Sequence, residues 1–281
     1  MLHVEQSEKE YRASPEMNVS TLALIGISPL ALKNRLDFLD ENEGTKAMSF
    51  GTAIHACCLE PVKFTKQYVP FEGDLRSNAQ KALWASIEAG GQTPIKEKDV
   101  DICYQISNAL RAHPKSAAIL NDPHAEFEKV LRWTDEDTGT KCKGRIDILS
   151  PTRMTDLKST ESTSYWRFKK SCQTYGYFAK LPWYRDGAIL SEKLSPEGFQ
   201  STAIACTKSK RPSIAVYNFP TETVEAGRII YKNWLRQYEF CLKNDYWPDV
   251  NDGQEVNMYM DDWMMQPKKI FLMEKGEAVV L

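Results

Sequence analysis

The chain has 281 residues, 42% of them hydrophobic and 26% charged, with a formal net charge of −2. That composition is typical of a folded globular protein, excludes bulk disorder, and gives no global electrostatic case for nucleic-acid binding. No segment approaches the roughly eighteen apolar residues of a membrane span, and "MLHVEQSEKEYRASPEMN" lacks the apolar core of a secretory signal, so a cytoplasmic protein with no membrane partner is expected.

In chain order, the polar first eighteen residues (1–18) are expected to be loosely ordered. "VSTLALIGISPLALKN" has helical apolar spacing broken near Gly26–Pro29, with Ser20 as the expected N-cap. "KAMSFGTAIHACCLEP" predicts a helix stopped by Pro61. "NAQKALWASIEAGG" and "KEKDVDICYQISNALRAHP" predict two more, ending at a Gly pair and near Pro114. The pattern then changes to strands. "EFEKVLRW" and "KCKGRIDILS" flank "TDEDTGT" as a β-hairpin, "RMTDLKS" is the next strand, and "STAIACT" and "SIAVYNFP" flank "KSKRP" as a second hairpin. A helical stretch, "SYWRFKKSCQTYGYFAKLPWYRDGAILSEKL", separates the hairpins, and an amphipathic helix from Glu222 to Lys243 follows them. An acidic, aromatic tail (245–281) ends the chain. With no repeat or linker, residues 1–281 are expected to form one α/β domain, a central mixed β-sheet flanked by helices behind a helical N-terminal half.

Charge is unevenly distributed. From Ser162 to Arg185 there are five bases and no acid, Lys208, Lys210 and Arg211 form a second basic cluster, and Asn244 to Trp263 holds six acids and no base. A neutral total can hide a basic groove, and it can equally reflect solvated faces. Seven cysteines without C-x-x-C spacing predict reduced structural thiols.

The chemistry-bearing stretch is "GRIDILSPTRMTDLKST". Strand alternation puts Arg145, Asp147 and Leu149 on one face, Ile146 and Ile148 on the other, and Asp156 and Lys158 together. If the strands pair about the turn at residues 150–153, Asp147 and Asp156 converge with Lys158 beside them. Two close carboxylates suit a hard cation such as Mg²⁺ or Mn²⁺, and a neighbouring lysine suits a charged phosphoryl transition state. By itself, however, an Asp-x-Lys is more often a surface ion pair.

"GTAIHACCLEP", "EFEKVLRW", "GRIDIL", "DLKST" and "QTYGY" occur in the order and at about the spacing of the PD-(D/E)xK nucleases. Within them the chain resembles the RecB-like branch, and in particular the exonuclease VIII (RecE) type of phage recombination exonucleases, over roughly residues 18–250. The resemblance implies a restriction-endonuclease-like fold and digestion of duplex DNA ends in the 5′ to 3′ direction, leaving a 3′ single strand, dependent on Mg²⁺ with Mn²⁺ as a substitute. It implies His55, Asp147, Asp156 and the carbonyl of Leu157 as metal ligands, and Glu128 as the acid before the hairpin, with Glu126 as fallback. Lys158 would stabilise the transition state, and Gln173 and Tyr177 would share one face of a site-facing helix. Arg167, Lys169, Lys170, Lys208, Lys210 and Arg211 are candidate DNA contacts, with Ser20 and Arg76 near the terminal phosphate.

A homotrimeric or homotetrameric ring around DNA is implied, as is a single-strand annealing protein (RecT/Bet-like) as partner, in a bacterial or phage-infected cytoplasm. Only Cys206 and Cys241 lie in the last third, so no iron–sulfur cluster is expected. The alternatives are a RecB-like nuclease of other polarity, an endonuclease, and a catalytically idle DNA-binding scaffold.

Overall fold

The computed structural model describes residues 8–38, 46–260, 271–274 and 277–280, with side chains for 10–38 and 50–260. It divides into two compact units, residues 1–247 and 248–281. The second holds a short 3₁₀ turn, Val250–Gly253, and an antiparallel hairpin of β9 (Phe271–Glu274) and β10 (Glu277–Val280).

The first unit is built on a six-stranded mixed sheet among the described residues. Its strands are β1 (Met17–Asn18), β4 (Glu126–Thr134), β5 (Lys141–Ser150), β6 (Arg153–Thr160), β7 (Gln200–Thr207) and β8 (Ile214–Phe219). Both predicted hairpins form, with β4 and β7 antiparallel to β5 and β8. β6 runs antiparallel to β5 and parallel to β7.

One edge of β5 is shared. β1 pairs with Cys142 and Lys143 near its start, and β6 pairs with residues 148–150 at its end. Residues 144–147 have no ladder partner on that edge among the described residues.

One face of the sheet carries α4 (Lys46–Leu59), α5 (Pro61–Gln67), α7 (Glu97–Ala112) and α8 (Pro114–Leu120). Their apolar side chains, including Ile54, Phe64, Ile106 and Ile119, bury Ile148, Leu157 and Ile204 of the sheet. A parallel pair, β2 (Tyr68–Phe71) and β3 (Thr93–Lys96), brackets α6 (Asn78–Ala89). On the other face lie α9 (Tyr165–Thr174), whose Phe168 and Cys172 cover Ala203 and Ala205, and α10 (Tyr177–Glu192), whose Leu181 and Ala188 cover Leu131, Ile146 and Met154.

α11 (Thr221–Asn244) packs on α10 with Trp183 edge-on to Tyr231 at 5.5 Å between ring centroids. Pro182, inside α10, has no N–H for the Phe178 carbonyl four residues back. At that carbonyl α11 presents Gly227, where a Cβ would sit only 1.8 Å from the oxygen. Glycine is required there by close approach alone.

Four expectations need correction. Residues 8–18 are ordered as α1 (Glu8–Ala13) and β1, because β1 joins the sheet and the buried Lys143 ammonium binds the carbonyls of Tyr11 and Ser14 at 2.7 and 2.6 Å; residues 1–7 fall outside the described residues. The N-cap of α2 (Val19–Leu22) is Asn18, whose side chain accepts from the Thr21 amide at 2.9 Å, while Ser20 sits exposed inside the helix. Strict alternation fails across Asp147: Ile146 packs with Leu149 in one core and Ile148 in the opposite one. The ladder skips the Glu128–Asp147 step, where Glu128 has a left-handed φ of 49°. Finally, Gln173 and Tyr177 do not share a helix, since Gly176, at φ 67°, ends the α9 region and caps α10.

Candidate active site

The β5–β6 register opposes Ile148 with Thr155, and one step further it would oppose Asp147 with Asp156. There the ladder stops. The strands part, and the gap is spanned by the Asp147 side chain, whose Oδ2 accepts the Leu157 amide N–H at 2.6 Å. Asp147 and Asp156 are both buried, each 8% exposed, so their charges depend on neighbours for stabilisation.

α4 supplies one of these. Ala53, Ile54, Ala56, Cys57 and Cys58 anchor the helix in the core and leave His55 half-buried above β5. His55 Nδ1 lies 3.6 Å from Asp147 Oδ1 and 3.7 Å from Glu128 Oε1. One ligand atom from each of the three falls within 4.8 Å of the others, a spacing that fits a metal ion. The left-handed backbone at Glu128 accompanies its position in this cluster. Its other oxygen is held by Arg145 at 3.0 Å. Glu126 is instead exposed and pairs with Lys129 at 2.7 Å, so Glu128 and not Glu126 lies in the cluster.

Asp156 and Lys158 share a face of β6, as period-two alternation requires, with Nζ 2.6 Å from Oδ2. Asp156 lies outside the three-residue cluster, its carboxylate turned to the lysine. Lys158 Nζ also stands 5.4 Å from the Tyr177 ring centroid.

The electrostatics follow from burial opposed by pairing. Burial disfavours the His55 imidazolium, but the Asp147 carboxylate, with that of Glu128 beside it, outweighs this and raises the pKa to about 10. Burial likewise works against the Asp147 carboxylate, yet His55, Lys158 and the Leu157 amide bring it down to about 2. Asp156 goes the other way: burial, with Asp147 nearby, raises it despite Lys158. Lys158 is held firmly protonated, burial being overcome by Asp156 and Asp147. Burial pushes the Tyr177 phenol to about 12.

The other expected site residues lie on α2, before α6, on α9 and in the β7–β8 connection. Gln173 is exposed on α9. Arg76 pairs with Asp74 at 3.4 Å in the turn before α6. Arg167 and Lys170 are exposed on α9, and Lys208, Lys210 and Arg211 are exposed in the β7–β8 connection. Lys169 lies 5.6 Å from the Trp166 ring.

Sequence alone assigns no role to two residues at the site. Arg145 was visible as the neighbour two before Asp147 on the same strand. Lys180 follows Tyr177 by three on α10, the spacing of one helix face; burial and the nearby Lys158 lower its pKa. All seven cysteines are buried free thiols, and among the described residues no helix is long and apolar enough to cross a membrane.

Two carboxylates and an imidazole offer hard oxygen donors with one nitrogen, a set that fits Mg²⁺ or Mn²⁺, the nitrogen favouring the latter. Beside it stand a protonated lysine and a carboxyl of raised pKa. Such a centre is suited to phosphodiester hydrolysis.

Residues 18–257 match the family described as a PDDEXK-like domain of unknown function (DUF3799). No curated protein matches the chain by sequence. Among solved structures, a candidate exonuclease from Eubacterium rectale superposes with a TM-score of 0.62 at 11% identity, over 92% of this chain and 96% of that one. A phage-related exonuclease from Haemophilus somnus superposes with a TM-score of 0.32 at 11% identity, over 62% of this chain and 92% of that one.

Proposed function

The chain belongs to the PDDEXK-like family, and from its site we propose that it is a divalent-metal-dependent exodeoxyribonuclease. It digests linear duplex DNA from the 5′ end with Mg²⁺, leaving a 3′ single strand for recombination by strand annealing. The observation that carries this reading is the convergence of His55, Glu128 and Asp147 within 4.8 Å beside the Asp156–Lys158 pair.

His55, Glu128 and Asp147 would hold the ion, with Asp156 completing the site from the neighbouring strand. When bound, the ion supplies Lewis-acid stabilisation of the charge that develops on the phosphate. The chain's own groups do the remainder. Lys158, protonated and aimed by Asp156, donates to a phosphoryl oxygen as negative charge grows. Asp156, with its raised pKa, accepts a proton from the attacking water at a carboxylate oxygen. The Leu157 amide fixes the Asp147 rotamer, and Arg145 fixes that of Glu128, so neither carboxylate reorients during the reaction.

The proposal extends to a homotrimeric or homotetrameric ring that retains duplex ends, and to a single-strand annealing protein as partner. A ring accounts for retention of DNA by a chain of net charge −2.

The test compares linear duplex labelled at the 5′ or 3′ end with covalently closed circles in Mg²⁺. Early release of 5′ label from linear DNA only is expected. Cutting of closed circles makes the chain an endonuclease, early release of 3′ label reverses the polarity, and no digestion in Mg²⁺ or Mn²⁺ removes the nuclease reading.

A further inference from the structure

We propose that the outer face of α9 is a stacking platform for single-stranded nucleic acid, the product strand of the digestion proposed above, on which this inference rests. α9 buries Phe168 and Cys172 against the sheet. On the opposite face Trp166, Lys170 and Gln173 follow one another at i, i+4 and i+7, one stripe along a helix, with Lys169 alongside. The stripe covers about 10 Å along the axis.

Trp166 is 74% exposed, an unusual state for an indole that could pack elsewhere. Tyr165, 55% exposed, meets it edge-on at 5.1 Å, and Lys169 Nζ lies within 6.0 Å of both rings. At the other end of the helix Tyr175, 59% exposed, stacks on Tyr177 at 5.8 Å, and Tyr177 lies under Lys158. Aromatic faces and cations thus run from Lys158 and Tyr177, at the start of α10, across the Gly176 break and outward along α9.

The chemistry selects the occupant. The segment from Ser162 to Arg185 holds five bases and no acid, which suits a polyanion and disfavours an acid-rimmed protein groove. Open ring faces are taken up by bases that are themselves unstacked. A duplex offers its phosphates but not its base faces, so aromatic rings interleaved with lysines favour a single strand.

The test uses the full chain in chelator, which prevents turnover, and a fluorescein-labelled oligo-dT of about ten nucleotides, within the usual footprint of such surfaces. An abasic oligonucleotide of equal length carries the same charge without bases. Trp166→Ala is expected to weaken oligo-dT binding about 5- to 100-fold while leaving the abasic strand within about twofold, and Trp166→Phe to restore most of the loss. Equal losses on both strands, or none on oligo-dT, would overturn the platform. So would a Trp166→Ala change in solution mass without a change in oligo-dT affinity, which would make the face a contact between copies of the chain.

Digestion of linear duplex in Mg²⁺ by the wild-type chain, run in parallel, separates the two readings. Digestion with a Trp166→Ala variant that binds oligo-dT normally removes the platform alone. A base-dependent loss in a chain that digests nothing supports the platform and removes the nuclease.

Discussion

Lys158→Met deletes one charge and keeps an unbranched side chain over Tyr177. Its expected effect follows from the site. The lysine side chain is 25% exposed and sits 2.6 Å from Asp156, partly shielded from water, where an effective dielectric near 20 applies. A unit charge at about 4 Å from a phosphoryl oxygen then contributes roughly 4 kcal/mol, of which only the part that grows in the transition state accelerates hydrolysis. Removal of one preorganised donor of this kind costs about 10²- to 10³-fold in turnover. Folding should survive, because Asp156, already raised in pKa by burial, takes up a proton when its partner is lost. Mn²⁺ binding should survive as well, since His55, Glu128 and Asp147 are untouched and a bound cation displaces the proton from Asp156. The assay is initial-rate release of label from linear duplex under saturating Mg²⁺, with circular dichroism and Mn²⁺ titration on the same preparation. A folded, metal-binding variant that keeps more than about a tenth of wild-type turnover would refute the role given to Lys158.

Glu128→Gln should weaken Mn²⁺ binding at least about tenfold by calorimetry, with Glu126→Gln unchanged, since only Glu128 joins the His55–Asp147 cluster. In the metal-free chain the His55 pKa of about 10 exceeds its unfolded value of 6.5, so its stabilisation is complete below pH 6.5 and lost as pH rises through 10; Asp147, lowered to about 2, keeps its contribution above pH 3.8. The melting temperature of the metal-free wild type should therefore fall from pH 7 to 10 by more than that of His55→Gln, and Mn²⁺ binding should release a proton, read by calorimetry in buffers of different ionisation enthalpy. Gly227→Ala, whose Cβ would meet the Phe178 carbonyl oxygen at 1.8 Å, should cost at least about 2 kcal/mol in urea unfolding. Lys143→Met, which strips the Tyr11 and Ser14 carbonyls of their ammonium donor, should cost about 2 kcal/mol and speed hydrogen exchange selectively in residues 8–18.

What was legible in the sequence was what local pattern controls. β4 with β5, and β7 with β8, appeared where alternation met turn residues, α6 and α7 where apolar spacing met a stop signal, and α11 where amphipathic spacing ran unbroken. The order of motifs along the chain then brought His55, Asp147, Asp156 and Lys158 into one expected site, and they do lie in one constellation. The misses have physical causes. Pro61 and Pro114 read as stops, yet each also opens a new helix, α5 and α8, because its fixed φ suits the first helical position. β1, β2 and β3 have four residues or fewer and pair in parallel with distant partners, which no local pattern reports. Gln173 and Tyr177 have helical spacing, but Gly176 between them takes φ 67°, and a single glycine gives no warning of that choice.

Asp147 exposes the deeper limit. Alternation presumes a continuous ladder, and the site exists because the ladder is broken. In a paired strand a carboxylate stands perpendicular to the sheet and the neighbouring amides are occupied by the partner strand. Between β1 and β6, residues 144–147 have no ladder partner on one edge of β5 among the described residues, and there the Leu157 amide binds Asp147 Oδ2 at 2.6 Å. The same parting leaves room for His55 to enter from α4, while the left-handed turn at Glu128 accompanies the carboxylate that β4 adds. A continued β5–β6 ladder would place Asp147 directly across from Asp156, two buried carboxylates with no space for the groups that offset their repulsion. The break in pairing is thus the element that turns an Asp-x-Lys, which alone reads as an ion pair, into part of a site that can bind a cation.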